Sequence, residues 1–199
     1  MKKTIYRGLF VLLFVFAIPF TAKATTLGLT TQGPSLDSSF AFVDYFEFGT
    51  DGDLSSFGGI IDSSSGVSPF GFTGFSFGVG FSLSDPTNTA TGGFDVFDEN
   101  GLFLSGDLAA VGFTENVIEF QFDQLTGAAA SDFGSSVLMM ISFVDQLGTN
   151  PFGGLVDGTF YDTAVHIARV ASSTTTVPAP QTLVLCALAL VLMDLVRRR

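Results

Sequence analysis

Residues 74–83 leave this chain little choice of fold. Phe75, Phe77, Val79, Phe81 and Leu83 alternate with Gly74, Ser76, Gly78, Gly80 and Ser82. Successive side chains of a strand point to opposite faces, so the spacing predicts one apolar face and one nearly bare polar face. A helix would scatter the same phenylalanines around its axis. The predicted strand covers Phe70–Leu83.

Asn116–Asp123 repeats the alternation, with Ile118, Phe120 and Phe122 inward and Glu119, Gln121 and Asp123 outward. Ser39–Phe48, Gly93–Asp98, Leu102–Phe113, Val137–Val144 and Phe160–Ala171 complete the expected strands. Val137–Val144 is apolar on both faces, which fits a central strand or a short helix. Asp51-Gly52, Asp85-Pro86-Thr87-Asn88, Glu99-Asn100-Gly101 and Asn150-Pro151 supply turn chemistry between these runs. Ser131–Ser136 has room for one turn of helix. Short strands with frequent turns predict an all-β fold, an antiparallel β-sandwich of jelly-roll type over residues 25–171. The 24 phenylalanines, with no tryptophan, are expected to fill its core. A sharper reading makes Phe70–Phe81 an exposed, self-pairing strand, because Gly-rich strands specify register poorly.

The two extremities differ from this body. Residues 1–24 read as a secretory signal peptide: Lys2, Lys3 and Arg7, then an apolar run to Phe20, then Ala22-Lys23-Ala24 for cleavage between Ala24 and Thr25. Ser172–Val177 is a polar linker. Pro178 and Pro180 follow, and both fix φ and favour extended backbone. An apolar stretch over about residues 182–196 then predicts a single C-terminal transmembrane helix. It reaches the usual length of about 20 residues only with Pro178–Thr182 in the headgroup zone. Arg197, Arg198 and Arg199 form a basic stop, which holds the C-terminus in the cytoplasm. Between Thr25 and Thr176, eighteen acids face Arg169 alone, a net charge of −17. Such a surface repels nucleic acid and anionic lipid.

The tail resembles the PEP-CTERM sorting signal of bacterial envelope proteins. Val177, Pro178, Ala179 and Pro180 lie where that family has its Pro-Glu-Pro motif, and the helix and Arg197–Arg199 follow in the same order. Ala179 stands in place of the family's Glu. The resemblance covers the tail alone. It implies export to the cell envelope, recognition by an exosortase-like processing enzyme, and a host that makes extracellular polysaccharide.

Chemistry in the body is sparse. His166 is the only histidine, set in a strand-like run, and reads as a structural hydrogen-bonding residue. Cys186 is the only cysteine and lies in the tail, so neither a disulfide scaffold nor a zinc module is expected. No nucleophile elbow or phosphate-binding glycine motif occurs. Calcium suits the oxygen donors of two acidic clusters: Asp51 and Asp53 on a loop flexed by Gly52, and Asp95, Asp98 and Glu99 with Asn100. Acidic solvated turns are the plainer reading of both. The expected role is therefore a non-catalytic binding or structural protein of the surface or matrix. A glycan hydrolase using two of the many carboxylates and a self-assembling matrix protein are the alternatives.

Overall fold

The computed structural model describes residues 26–171. Nine strands and two single-turn helices follow in the order β1 (Thr31–Phe48), β2 (Asp51–Ile60), β3 (Ser63–Ser65), β4 (Gly74–Ser82), β5 (Thr91–Asp98), β6 (Gly101–Thr114), β7 (Val117–Thr126), α1 (Ala130–Phe133), β8 (Val137–Phe143), α2 (Pro151–Gly154) and β9 (Thr159–Val170). The signal sequence, the linker, the Pro178–Pro180 motif, the apolar helix and the terminal arginines all lie outside the described residues.

The fold is all-β and antiparallel, as expected, but it is a closed barrel and not a jelly-roll sandwich. Apart from β3, each strand pairs with its successor in the chain, in the spatial order β2-β4-β5-β6-β7-β8-β9-β1. β1 also pairs with β2, from Asp44↔Ser55 to Phe48↔Asp51, which closes the ring at eight strands. A jelly roll needs long crossings between two sheets. Here successive neighbours join by local connections. Alternation alone does not separate the two architectures, because both need one covered face per strand.

Closure depends on bending. β1 is 18 residues long and shifts register between Gln32 and Ser35 and again between Ser38 and Ala41. Such bulges bend a strand and increase its twist, which lets a sheet curl onto itself. At the second bulge the carbonyls of Phe40 and Ala41 accept from the hydroxyls of Ser38 (3.1 Å) and Thr163 (3.0 Å). The Phe42 carbonyl accepts from Ser56 at 2.7 Å. Buried hydroxyls thus satisfy backbone groups around the irregularity.

The turn expected at Asp51-Gly52 is instead the start of β2, a segment rich in Gly, Ser and Asp. It is a strand because its neighbours on both sides impose the ladder. Its bulge falls between Phe57 and Gly59. A Cβ on Gly59 would lie 2.1 Å from the Phe75 ring, so the packing admits no side chain there. The predicted strand at Phe70 begins only at Gly74, since residues 66–73 form the connection from β3.

The barrel interior is solid. Phe75, Phe77, Val79 and Phe81 of β4 are all buried, as are Ile118, Phe120 and Phe122 of β7. Phe77 meets Phe120, three strands away around the wall, with ring centroids 6.0 Å apart. Phe94 and Phe122 approach to 4.7 Å. Two plugs close the ends. α1 touches β1, β6, β7 and β9 and inserts Phe133, which is fully buried. At the opposite end α2 brings Phe152 against Phe81 (5.0 Å) and Phe113 (5.8 Å). The long segment 144–158 is tied down by the Leu147 amide to Asn116 Oδ1 (2.8 Å) and by the Gly158 amide to the Tyr45 carbonyl (2.9 Å).

β8 is a strand rather than the alternative short helix, and its apolar outer face has a cause. Leu138 and, beside it on β9, Ala168 face away from the lumen, yet each is only 2% exposed. Residues 26–30 cross the barrel wall here. The Ala171 amide donates to the Thr30 carbonyl (2.8 Å), and the Leu27 amide donates to Glu119 Oε2 on β7 (2.7 Å). The path between these anchors passes over β9 and β8. It also brings Thr30, just before β1, beside Ala171, just after β9, at the α1 end of the barrel.

Phe133→Ala would open a cavity at the α1 plug. Its expected cost is about 3–5 kcal/mol, against less than about 0.5 kcal/mol for Phe57→Ala, whose ring is 81% exposed. Urea unfolding of the two variants beside the parent protein measures the difference.

Candidate functional site

The outer wall mixes carboxylates with exposed phenyl rings, among them Phe42, Phe57 and Phe160, and so lacks the continuous apolar band of a membrane-spanning barrel. Asp44, Asp53, Asp95, Glu119, Asp123 and Asp162 all point outward from different positions around it. Among the described residues no helix is long and apolar enough to cross a membrane.

His166 lies on the outer face of β9, directly opposite Asp37 of β1. Its Nδ1 is 2.5 Å from Asp37 Oδ1, and both side chains are more than a third exposed. The Asp37 carbonyl accepts the Asp62 amide at 2.9 Å. Asp62 in turn accepts the Ser39 amide at 2.7 Å and the Ser39 hydroxyl. Ser, His and two Asp thus gather at one place, but in the wrong order for nucleophilic catalysis. A nucleophilic serine gives its proton to an imidazole that a carboxylate orients. Here the Ser39 hydroxyl is bonded to a carboxylate, and His166 bonds to a different one. The cluster fastens the β3 segment and β9 to the first half of β1. The Ser39 hydroxyl and amide hold the Asp62 carboxyl below its ordinary value.

The two acidic clusters proposed for calcium behave differently from one another. Asp51 and Asp53 are not on a flexible loop. They open β2, point the same way and sit opposite Ser82 and Gly80 of β4. Asp98 and Glu99 form a turn after β5, and amides already occupy their carboxylates. Asp98 Oδ2 accepts from Phe70 (3.0 Å) and Oδ1 from Asn100 (2.8 Å), while Glu99 Oε1 accepts from Phe72 (3.2 Å). Asp95 stands apart on the β5 wall, opposite Ser76. Among the described residues no three His, Cys, Asp or Glu side chains converge as a metal site would need.

Both clusters nevertheless border the same feature, the outer face of β4. This is the Gly74, Ser76, Gly78, Gly80, Ser82 side of the alternation, and it is bare. A Cβ on Gly78 would meet nothing within 4 Å. Each end of this strip widens into a shallow cavity. One, of about 310 Å³, is lined by Phe72, Gly74, Ser76, Phe97, Asp98 and Glu99 among others. The other, of about 410 Å³, lies at the α2 end between Phe48, Asp51 and Asp53 on one side and Thr89 and Thr91 on the other, with Gly80 and Phe81 in its floor. Beneath it Tyr45 stacks on Phe81 at 6.2 Å and donates to Glu47 Oε1 at 3.1 Å. Burial, then the Glu47 hydrogen bond and charge, push the Tyr45 phenol well above its ordinary value, so it remains a proton donor.

The exposed strand proposed for self-pairing is not free. β4 hydrogen-bonds to β2 on one edge and β5 on the other, and turns its phenylalanines inward. Thr89, Thr91, Phe48 and Phe97 went unnoticed in the sequence as wall residues. They become neighbours only through the β2-β4-β5 register, although the bare face they flank was plain in the alternation.

No family model matches this chain, and comparisons with curated proteins and with solved structures find no match either.

The Asp62 latch has a definite pH sense. Its lowered folded value means that its contribution is present above the unfolded carboxylate value and is lost as pH falls through the folded one. Ser39→Ala should return Asp62 towards its ordinary 3.8, read by NMR titration of the carboxyl carbon. An unchanged titration curve would contradict the assigned cause.

Proposed function

We propose that this chain is an exported, membrane-tethered protein of the cell surface or matrix, with a non-catalytic binding role. In this reading residues 1–24 direct export, a transmembrane helix over about 182–196 holds the barrel outside the cytoplasm, and an exosortase-like enzyme recognises the PEP-CTERM-like tail. The observation that carries the binding role is the cavity of about 410 Å³ at the α2 end of β4. The exposed Phe48 ring, the paired carboxylates and the Thr91 hydroxyl around a glycine floor suit a sugar chain, while the Thr89 hydroxyl is held by the Asp85 carbonyl and the Ser82 amide. The ring packs under sugar C–H groups, and the oxygens take up its hydroxyls. A body at −17 repels acidic polymers, so a neutral polysaccharide is the natural partner; an acidic one would need calcium as a bridge.

Asp51 is exposed and Asp53 only partly buried, whereas the acid of a glycosidase sits in an apolar pocket, so binding is favoured over hydrolysis. Two measurements test the reading. Mass spectrometry of the native protein should find Thr25 first and Arg197–Arg199 missing; intact ends would count against export and processing. On a panel of neutral polysaccharides, retention should fall at least about tenfold in the Phe48→Ala, Asp53→Asn double variant, a loss of about 1.4 kcal/mol. Release of reducing ends would instead favour the hydrolase. Binding to acidic polymers only, and only with calcium, would move the role to cation bridging.

A further inference from the structure

Five large apolar side chains crowd the α1 end of the barrel without being covered. Ile60, Phe97 and Leu102 form one row across the wall, since Ile60 pairs with Gly74, Gly74 with Phe97 and Phe97 with Leu102. They are 49%, 48% and 39% exposed. Phe70 and Phe72, at 59% and 63%, extend the row from the loop that leads into β4.

That loop is built to display them. The Asp98 and Glu99 carboxylates hold the amides of Phe70 and Phe72, and the Glu99 amide donates to the Phe70 carbonyl at 3.1 Å. Between the two rings Gly71 adopts φ +67°, with the Glu99 carboxylate where its Cβ would stand. Two acids and a left-handed glycine thus hold two phenyl rings more than half exposed to water, at a loss of apolar burial. A collapsed loop would recover part of that loss.

Exposed apolar side chains also stand at the α2 end, Phe48 and Phe160 among them, so it is the course of the chain that sets the α1 end apart. The described chain leaves the barrel at this same end, where Ala171 bonds to Thr30. Eleven residues, 172–182, separate Ala171 from the apolar run that begins at Leu183. They can span at most about 36–40 Å, so a bilayer holding that run lies within reach of this end. We propose that the barrel rests this end on a lipid bilayer, with Phe70, Phe72, Ile60, Phe97 and Leu102 seated in the headgroup and upper acyl layer. The proposal rests on the tethered reading of the tail. Seating of about 5–10 Å is the depth such apolar faces reach. The acidic body selects a zwitterionic surface, because anionic headgroups would repel it. The same charge opposes a second copy as the occupant. The carbohydrate-facing cavity, at the α2 end, then points away from the membrane.

The absence of tryptophan makes a clean test. The protein with its tail, carrying Phe72→Trp as its single tryptophan, is reconstituted in phosphatidylcholine nanodiscs with and without brominated acyl chains. Phe48→Trp, at the opposite end, is the control, and Phe70→Trp repeats the measurement. The expected result is blue-shifted emission from positions 70 and 72, most of it lost in brominated discs, with position 48 unaffected. Three results would overturn the proposal. Protein that stays with the discs while positions 70 and 72 remain as bright as 48 keeps the tether and removes the seating. A blue shift without bromine quenching means that a second copy or another ligand covers the patch. Protein that does not travel with the discs at all ends the tethered reading, and the seating with it.

Discussion

The seam between β1 and its two partners is the constraint on which this structure rests. Eight strands in a meander close only if the first strand serves the last and the second together. β1 does so by changing direction at its bulges, pairing with β9 along one edge and with β3 and β2 along the other. Those bulges strand backbone carbonyls, and hydroxyls on β1, β2 and β9 take them up. Without that compensation each buried carbonyl would cost about 1–3 kcal/mol. The ring would then gain little over an open sheet with two exposed edges.

Closure decides how the phenylalanines are used. Rings from opposite walls meet in the lumen, and the barrel has a core where larger barrels have a channel. Two single-turn helices complete it at either end, each contributing one phenyl ring. Function is therefore displaced to the outside, where the wall between β2 and β5 lacks side chains along one strand. The recesses at its two ends differ in character. One is framed by the Asp51 and Asp53 carboxylates, the other by phenyl rings whose supporting acids are already committed to amides.

Much of this was legible in residue order. The Phe75–Leu83 and Ile118–Phe122 alternations announced which faces lie inside. The polar-solvent turn at Glu99-Asn100-Gly101 and the helical turn near Ser131 fell close to their observed places. The ring closure was not legible, because no local pattern distinguishes a strand that ends a sandwich from one that returns to its start. β2 was missed because its Gly, Ser and Asp residues have little strand propensity and take their conformation from neighbours. The acids at positions 98 and 99 looked like cation ligands because their partners, the amides of Phe70 and Phe72, lie 28 and 27 residues away in the chain. The covered outer face of β8 depended on residues 26–30, which no periodicity connects to it.

The pairing of the start of β1 with the end of β9 has a mechanical consequence. The two strands are antiparallel, and their outermost rungs, Thr31↔Val170 and Gln32↔Arg169, are the ones nearest both termini in the chain. Tension drawn between the termini would load those rungs one after another instead of sharing the force along the strand pair, so the seam would peel like a zip. Traction on both ends finds its weakest direction, whereas traction on one end and a ligand at the far rim loads the strands lengthwise, across many bonds at once.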